Sequence, residues 1–341
     1  MAKNKTSFLN ELNDAVSVRT LLMLVGVLLL QFGFIASYVG AFHKPKADEI
    51  PVAVVAPDSV KATLIKQLND INGHPVKAQA VASEEDGNNQ LKHEDLYGVY
   101  VMNPTSTTDK LVVASASGYS LQQAVETTMQ QVATAQHRTL TVEDIVPTQE
   151  GDYRGLTSFY LVVGWIVGGY LFAALLGVSK GSKPINLNRA IMRIGAIVPY
   201  AFASGFGAAL IVDKQLGALT GHIPQLGLIG TLLVLSAATV TMAFQSLFGV
   251  IGIGLTVLVF VVLGNPSAGG PYQSYLLPEF WRNIGGFLPN GAGTSAVRSL
   301  VYFDGVKTGS NIAVIATWAI AGALITLVVA KFSKKSESVE S

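Results

Sequence analysis

Apolar positions along this chain follow two patterns. Six nearly unbroken runs lie at 21–39, 156–178, 194–212, 224–242, 248–263 and 311–330. To within a few residues at each end they match the about 17–25 residues that a helix needs to cross a bilayer. Between the first two runs, residues 43–150 behave differently. "IPVAVVAP" (50–57) reads as a buried strand. Val60, Leu64, Ile65, Leu68 and Ile71 then recur with helical period, behind Asp58 or Ser59 as possible caps. "LYGVYVM" (96–102) and "KLVVASAS" (110–117) read as two further strands about a Pro-containing turn. Leu121, Val125, Met129 and Val132 mark a helix over 120–138, and "SEEDGNNQ" (83–90) reads as a polar loop.

The fold class that follows is a polytopic α-helical membrane protein. It has six transmembrane helices and a small extracellular α/β domain between spans 1 and 2. The expected divisions are 1–42 (an interfacial helix and the first span), 43–152 (the α/β domain), 153–332 (a five-span membrane block) and 333–341 (a tail). Phe8, Leu9, Leu12 and Val16 share one helical face and suit a helix lying on the membrane surface. A signal peptide ending at "VGA" (39–41) competes for the first run, but Glu11 and Asp14 in the leader and the length of the run argue for a span.

Composition strengthens this picture. Hydrophobic residues make up 50% of the 341 positions and charged residues 13%, against about 25% charged in a soluble domain. The net charge of +1 conceals an uneven distribution. Residues 43–155 hold 15 Asp/Glu and 9 Lys/Arg. The loop 179–193 holds Lys180, Lys183, Arg189 and Arg193 and no acid. Lys331, Lys334 and Lys335 follow the last run, and Lys3, Lys5 and Arg19 precede the first. With six spans these three basic segments share one side, which the positive-inside rule makes cytoplasmic. Both termini are then cytoplasmic, and 43–150 and 265–308 face outward.

Little in the chain points to catalysis. No Gly-x-x-x-x-Gly-Lys-Ser/Thr segment is present to cradle ATP phosphates. The five histidines lack ligand spacing, and His93-Glu94-Asp95 reads as a solvated turn. No enzyme, cofactor or metal is expected, and no nucleic-acid partner. The span interiors carry no Asp, Glu, Lys, Arg or His by these boundaries, which argues against proton-coupled exchange. Asp213 and Lys214 are expected to face water at a span end, and Gln31 and Gln245 to bond between helices. Gly164 and Gly168 form a GxxxG suited to close packing, and Pro199 with Gly205 and Gly207 could kink the third span.

The stretch 276–305, "LLPEFWRNIGGFLPNGAGTSAVRSLVYFDG", is too aromatic for a plain connector and too charged for a span. Phe280, Trp281, Ile284, Phe287 and Leu288 fall on one helical face between Pro278 and Pro289. "NGAG" (290–293) reads as a turn, with Thr294 or Ser295 capping a second short helix. Two roles fit: an interfacial packing element with Trp281 at headgroup level, or a re-entrant lid on the mouth of a pathway.

"NPSAGG", "LLPEFWRNIGGFLP" and "AVRSLVYF" within 265–305 resemble the signature of ABC-2-type transporter membrane proteins. The similarity is to their branch with an extracellular domain after the first span, the phage-infection-protein-like family. "PVAVVAPD" (51–58) matches the strand that opens that domain. The resemblance implies that 276–303 is a hairpin near the exit, with Pro278, Phe280, Trp281, Arg282, Phe287, Pro289 and Arg298 as outer-lid candidates. It implies a homodimer in the plasma membrane and a separate ATPase subunit, met through a short cytoplasmic helix for which Lys183, Arg189 and Arg193 are candidates. Ordinary positive-inside anchoring explains the same basic loop. Two functions follow: a permease subunit exporting an amphiphilic or cell-envelope substrate, or a non-transporting surface protein that displays the α/β domain.

Overall fold

The computed structural model describes residues 17–337. Phe8, Leu9, Leu12 and Val16, on which the surface helix was expected, lie outside them. The first helix, α1, is Val18–Phe42, with the Ser17 hydroxyl accepting from Thr20 N. After it comes a five-stranded sheet of order β2-β1-β3-β4-β5. The strands are β1 (Ile50–Val55), β2 (Val76–Ala80), β3 (Val99–Val101), β4 (Thr108–Val113) and β5 (Thr139–Asp144). Pairing is parallel except between β3 and β4. Three helices connect them: α2 (Asp58–Asn69), α3 (Glu84–Lys92) and α4 (Tyr119–Ala135).

Side-chain alternation in the strands divides the core between the two faces of the sheet. Ile50, Val52, Val54, Tyr100, Leu111 and Val113 pack with Leu64 and Leu68 of α2 and Leu121, Val125 and Met129 of α4. Ala53, Val99 and Val112 pack on the other side with Leu91 of α3. At the start of β4, buried Asp109 accepts from Arg138 Nη2 at 2.6 Å, Arg138 Nε at 2.6 Å, Asn103 N at 2.9 Å and the Tyr100 hydroxyl.

Several local expectations change. "SEEDGNNQ" belongs to helix α3, because Ser83 caps it by accepting from Asp86 N and three acids fill its first turn. Pro57, rather than Asp58 or Ser59, occupies the N-cap of α2. β2 and β5 were not anticipated.

Among the described residues five helices are long and apolar enough to cross a membrane: α1, α5 (Thr157–Lys180), α6 (Leu187–Leu210, extended to Gln215 by a π-helical stretch), α7 (Ile223–Phe248) and α11 (Thr308–Glu337). The expected sixth span is shorter and interrupted. Gly249, at φ 65°, ends α7. The chain then runs as α8 (Ile251–Val257), a π-helical stretch (Leu258–Gly264) and a single turn (Asn265–Ser267). These 17 residues span about 25 Å. Helix α11 continues to Glu337, past the expected start of a tail at 333.

The bundle is built around α7, the most enclosed of the five, with α5, α6 and α11 packed on it. α1 is peripheral. It meets the Leu258–Gly264 segment, where the Ser37 hydroxyl donates to Val262 O, and leaves Leu22, Val27 and Leu29 exposed. Of the expected pair only Gly168 is closely packed, where a side-chain carbon would lie 3.1 Å from the Tyr200 hydroxyl. Gly164 has open space at its missing side chain, whereas a side-chain carbon on Gly169 would lie 2.6 Å from Val234 O. Pro199 lies within an unbroken α6. Gln31 is exposed, and buried Gln245 packs over Gly177 with its Nε2 unpartnered among the described residues. Asp213 does not face water: it is buried, accepts from Gly221 N at 2.7 Å and pairs with Lys214.

Candidate functional site

Residues 274–307 form a helical hairpin between the bundle and the α/β domain. A 3-10 turn (Ser274–Leu276) leads into α9 (Glu279–Gly285), then α10 (Pro289–Tyr302). Pro278 is the N-cap of α9 and Pro289 the first residue of α10, positions where a fixed φ and a missing N–H cost nothing. The expected turn at "NGAG" lies inside α10. Its glycines permit close approach: a side-chain carbon on Gly291 would sit 2.8 Å from Gly285 C, and one on Gly293 would sit 3.0 Å from Leu233 and Val162. Thr294 does not cap a helix; its hydroxyl donates to Asn290 O within α10.

The hairpin enters the bundle. Trp318 Nε1 donates to Phe287 O, at the tip, at 2.8 Å. Trp318 lies ten residues into α11, and Leu233, against Gly293, lies ten residues into α7. Each is about 15 Å along its helix. One side chain secures the irregular helix there: buried Asn290 donates from Nδ2 to Phe260 O of the π-helical stretch at 2.9 Å and to Asn265 Oδ1 at 2.8 Å. Asn265 Nδ2 donates in turn to the Tyr38 hydroxyl of α1 at 3.0 Å. Backbone freed by the irregular helix is thus satisfied by protein, as membrane depth requires.

The other end of the hairpin is built into the α/β domain. Leu276 joins the core on one face of the sheet and Phe303 the core on the other. Asp48 N donates to Tyr275 O at 3.1 Å, and the Asp48 carboxylate pairs with Arg282. Ser120 Oγ donates to Pro271 O at 2.8 Å, and Leu121 N to Gln273 Oε1 at 3.1 Å. Lys307 Nζ donates to Glu94 O at 2.7 Å and pairs with Asp95 at 3.2 Å. The 93–95 turn is therefore a docking point rather than merely solvated. Burial holds the Glu94 carboxyl above the ordinary carboxylate range, with Arg298 and Lys307 offsetting part of that rise. Asp152 links α5 to the hairpin, accepting from Thr157 N at 2.8 Å and from the Tyr302 hydroxyl at 2.8 Å.

The seven lid candidates lie on this hairpin in distinct settings. Trp281 is buried with Ala41 and Leu277. Pro278, Arg282 and Pro289 shape and tie the turn, and Arg298 is buried beside the α/β domain. Phe280 and Phe287, at 57% and 73% exposure, present apolar surface. The expected single apolar face is thus divided between core and surface.

The coupling candidates lie at the opposite end of the bundle. Lys183 is exposed in 181–186. Asn186 caps α6 by accepting from Arg189 N at 3.0 Å, leaving the Arg189 side chain exposed. Arg193 Nη2 donates to Lys180 O at 2.7 Å and so closes the end of α5. Residues 181–186 form no separate short helix.

These features define a multi-pass helical membrane protein whose α/β domain is joined to a hairpin inserted in its helical bundle. A family model described as ABC-2 family transporter protein matches residues 18–331, and the chain belongs to that family. No curated protein and no solved structure matches it.

Proposed function

We propose that this ABC-2 family membrane component is the permease subunit of an export system for an amphiphilic or cell-envelope substrate. In this reading the chain crosses the plasma membrane six times, Ile251–Ser267 being the short passage. Its termini are cytoplasmic and its α/β domain is extracellular. It works as a homodimer with an ATPase on a separate chain. The observation that carries the reading is the hairpin, fixed to the α/β domain at its base and bonded to Trp318 at its tip. Phe280 and Phe287 are the lid surfaces that would meet an amphiphile. Lys183 and Arg189 are the coupling residues, since Arg193 is engaged in closing α5. Family membership favours transport over a surface-display role.

The test is purification of the native complex in mild detergent, with mass spectrometry of the co-purifying chains. A stoichiometric ATPase, lost in Lys183→Glu/Arg189→Glu, supports the reading. A dimer that purifies with no ATPase from cells exporting normally refutes the ATP-driven form.

A further inference from the structure

Nine buried side-chain polar atoms lack a hydrogen-bond partner among the described residues, and three of them belong to residues lining one cavity: Ser117 Oγ, Arg282 Nε and Arg298 Nε. The cavity encloses about 330 Å³ between the α/β domain and the hairpin, near the lower end of small-molecule sites. All three unpartnered atoms can donate a hydrogen bond, and two belong to guanidinium groups, which only donate. Arg282 has Asp48 as a counter-charge. Arg298 has none in contact: it is 7% exposed, and its one hydrogen bond among the described residues is from Nη2 to Gly269 O at 3.0 Å. Glu94, the one acid in the cavity wall, and Asp152 act on Arg298 through space, but neither forms an ion pair with it among the described residues, and burial raises the Glu94 carboxyl. A buried guanidinium with no carboxylate in direct contact is costly, and its planar fork suits a bidentate oxyanion.

We propose that this cavity binds an oxyanion of the phosphate class, held by Arg298 with Arg282 and Ser117, and that the bound group joins the hairpin to the α/β domain. A phospholipid headgroup or free phosphate supplies the same chemistry. Binding here concerns the junction itself and does not depend on the chain acting as an exporter.

The test uses the full chain in nanodiscs of phosphatidylcholine with or without phosphatidylglycerol. Lipid retained after extraction is counted by native mass spectrometry, and thermal stability is measured against added inorganic phosphate. Two variants accompany it. Arg298→Gln removes the charge. Ser295→Glu, one turn before Arg298 on the cavity wall, supplies an internal carboxylate that keeps Arg298 paired, so the fold persists while the anion is excluded. Selective retention of phosphatidylglycerol, lost in Ser295→Glu, identifies a lipid headgroup. A melting temperature that rises with phosphate concentration, with no such rise in Ser295→Glu, identifies the free anion. If neither probe binds, or if either binds equally well to the folded Ser295→Glu protein, the proposal is overturned and the cavity holds only water.

Discussion

Gly118 offers a sharp test of how the α/β domain is joined to the hairpin. It precedes α4 at φ 135° and ψ 127°, a region open essentially to glycine alone, where another residue costs about 1–3 kcal/mol. A side-chain carbon there would also lie 2.6 Å from Gln273 Cγ and closer still to the amide of that side chain. Gln273 can swing aside only by releasing Leu121 N from its Oε1 and Gly270 O from its Nε2, at about 0.5–1.5 kcal/mol for each bond. Gly118→Ala should therefore destabilise the full chain by about 2–6 kcal/mol. The assay is thermal unfolding in detergent, with hydrogen exchange at the start of α4 reporting local release. Gln273→Ala should cost only its two bonds. In the double variant the steric part should vanish, so that the combined loss is smaller than the sum. A neutral Gly118→Ala, or strict additivity, would refute the seating of Gln273 against Gly118.

Three further outcomes follow. Burial would raise the Asp109 carboxyl, but hydrogen bonds from Arg138, Tyr100 and Asn103 N hold it below the ordinary carboxylate range; its stabilisation is therefore present above the unfolded value of about 3.9 and lost as pH falls through the lower folded value. Arg138→Gln should cost about 3–5 kcal/mol at pH 7 by leaving that carboxylate unpaired, and thermal unfolding from pH 7 to pH 3 should show the deficit shrinking as Asp109 protonates. Gly169→Ala should impair bundle stability because its side chain meets Val234 O, whereas Gly164→Ala in the same helix should be neutral or stabilising by up to about 1 kcal/mol; equal melting temperatures would sink the packing argument. Phe280→Ala/Phe287→Ala should leave insertion and folding intact while lowering export, which a transport assay beside a stability measurement would separate.

The apolar runs, the first strand and the amphipathic hairpin were legible because each carries a strong periodic signal. What the sequence concealed has specific causes. β2 and β5 are the edge strands of the sheet. "TLTVED" in β5 is mostly exposed, so no apolar alternation marks it. Helix α3 buries only Gly87 and Leu91, leaving a segment that reads as loop by composition. "NGAG" carries turn residues, yet tertiary packing overrides that signal and places them in α10. The site was concealed for a different reason. Arg298, Glu94 and Ser117 are far apart in the chain, and no spacing rule relates a buried guanidinium to a turn in another domain.

Deletion of 45–150 would seem to test whether the α/β domain matters separately from the hairpin, but it would uncover Leu276 and Phe303 and remove the partners of Arg282 and Lys307. Loss of activity would then follow from a damaged hairpin alone. Phe303→Ala is the better probe. Phe303 belongs to the chain just after α10, is 2% exposed and packs on the face of the sheet formed by Ala53, Val99 and Val112. Truncating a buried Phe costs about 3–5 kcal/mol. If the hairpin and the sheet unfold as one body, that cost must appear as faster hydrogen exchange in β3 and β4, nearly 200 positions earlier in the chain. Unchanged protection in those strands would show that the two fold independently, and the hairpin would then be free to move without the domain.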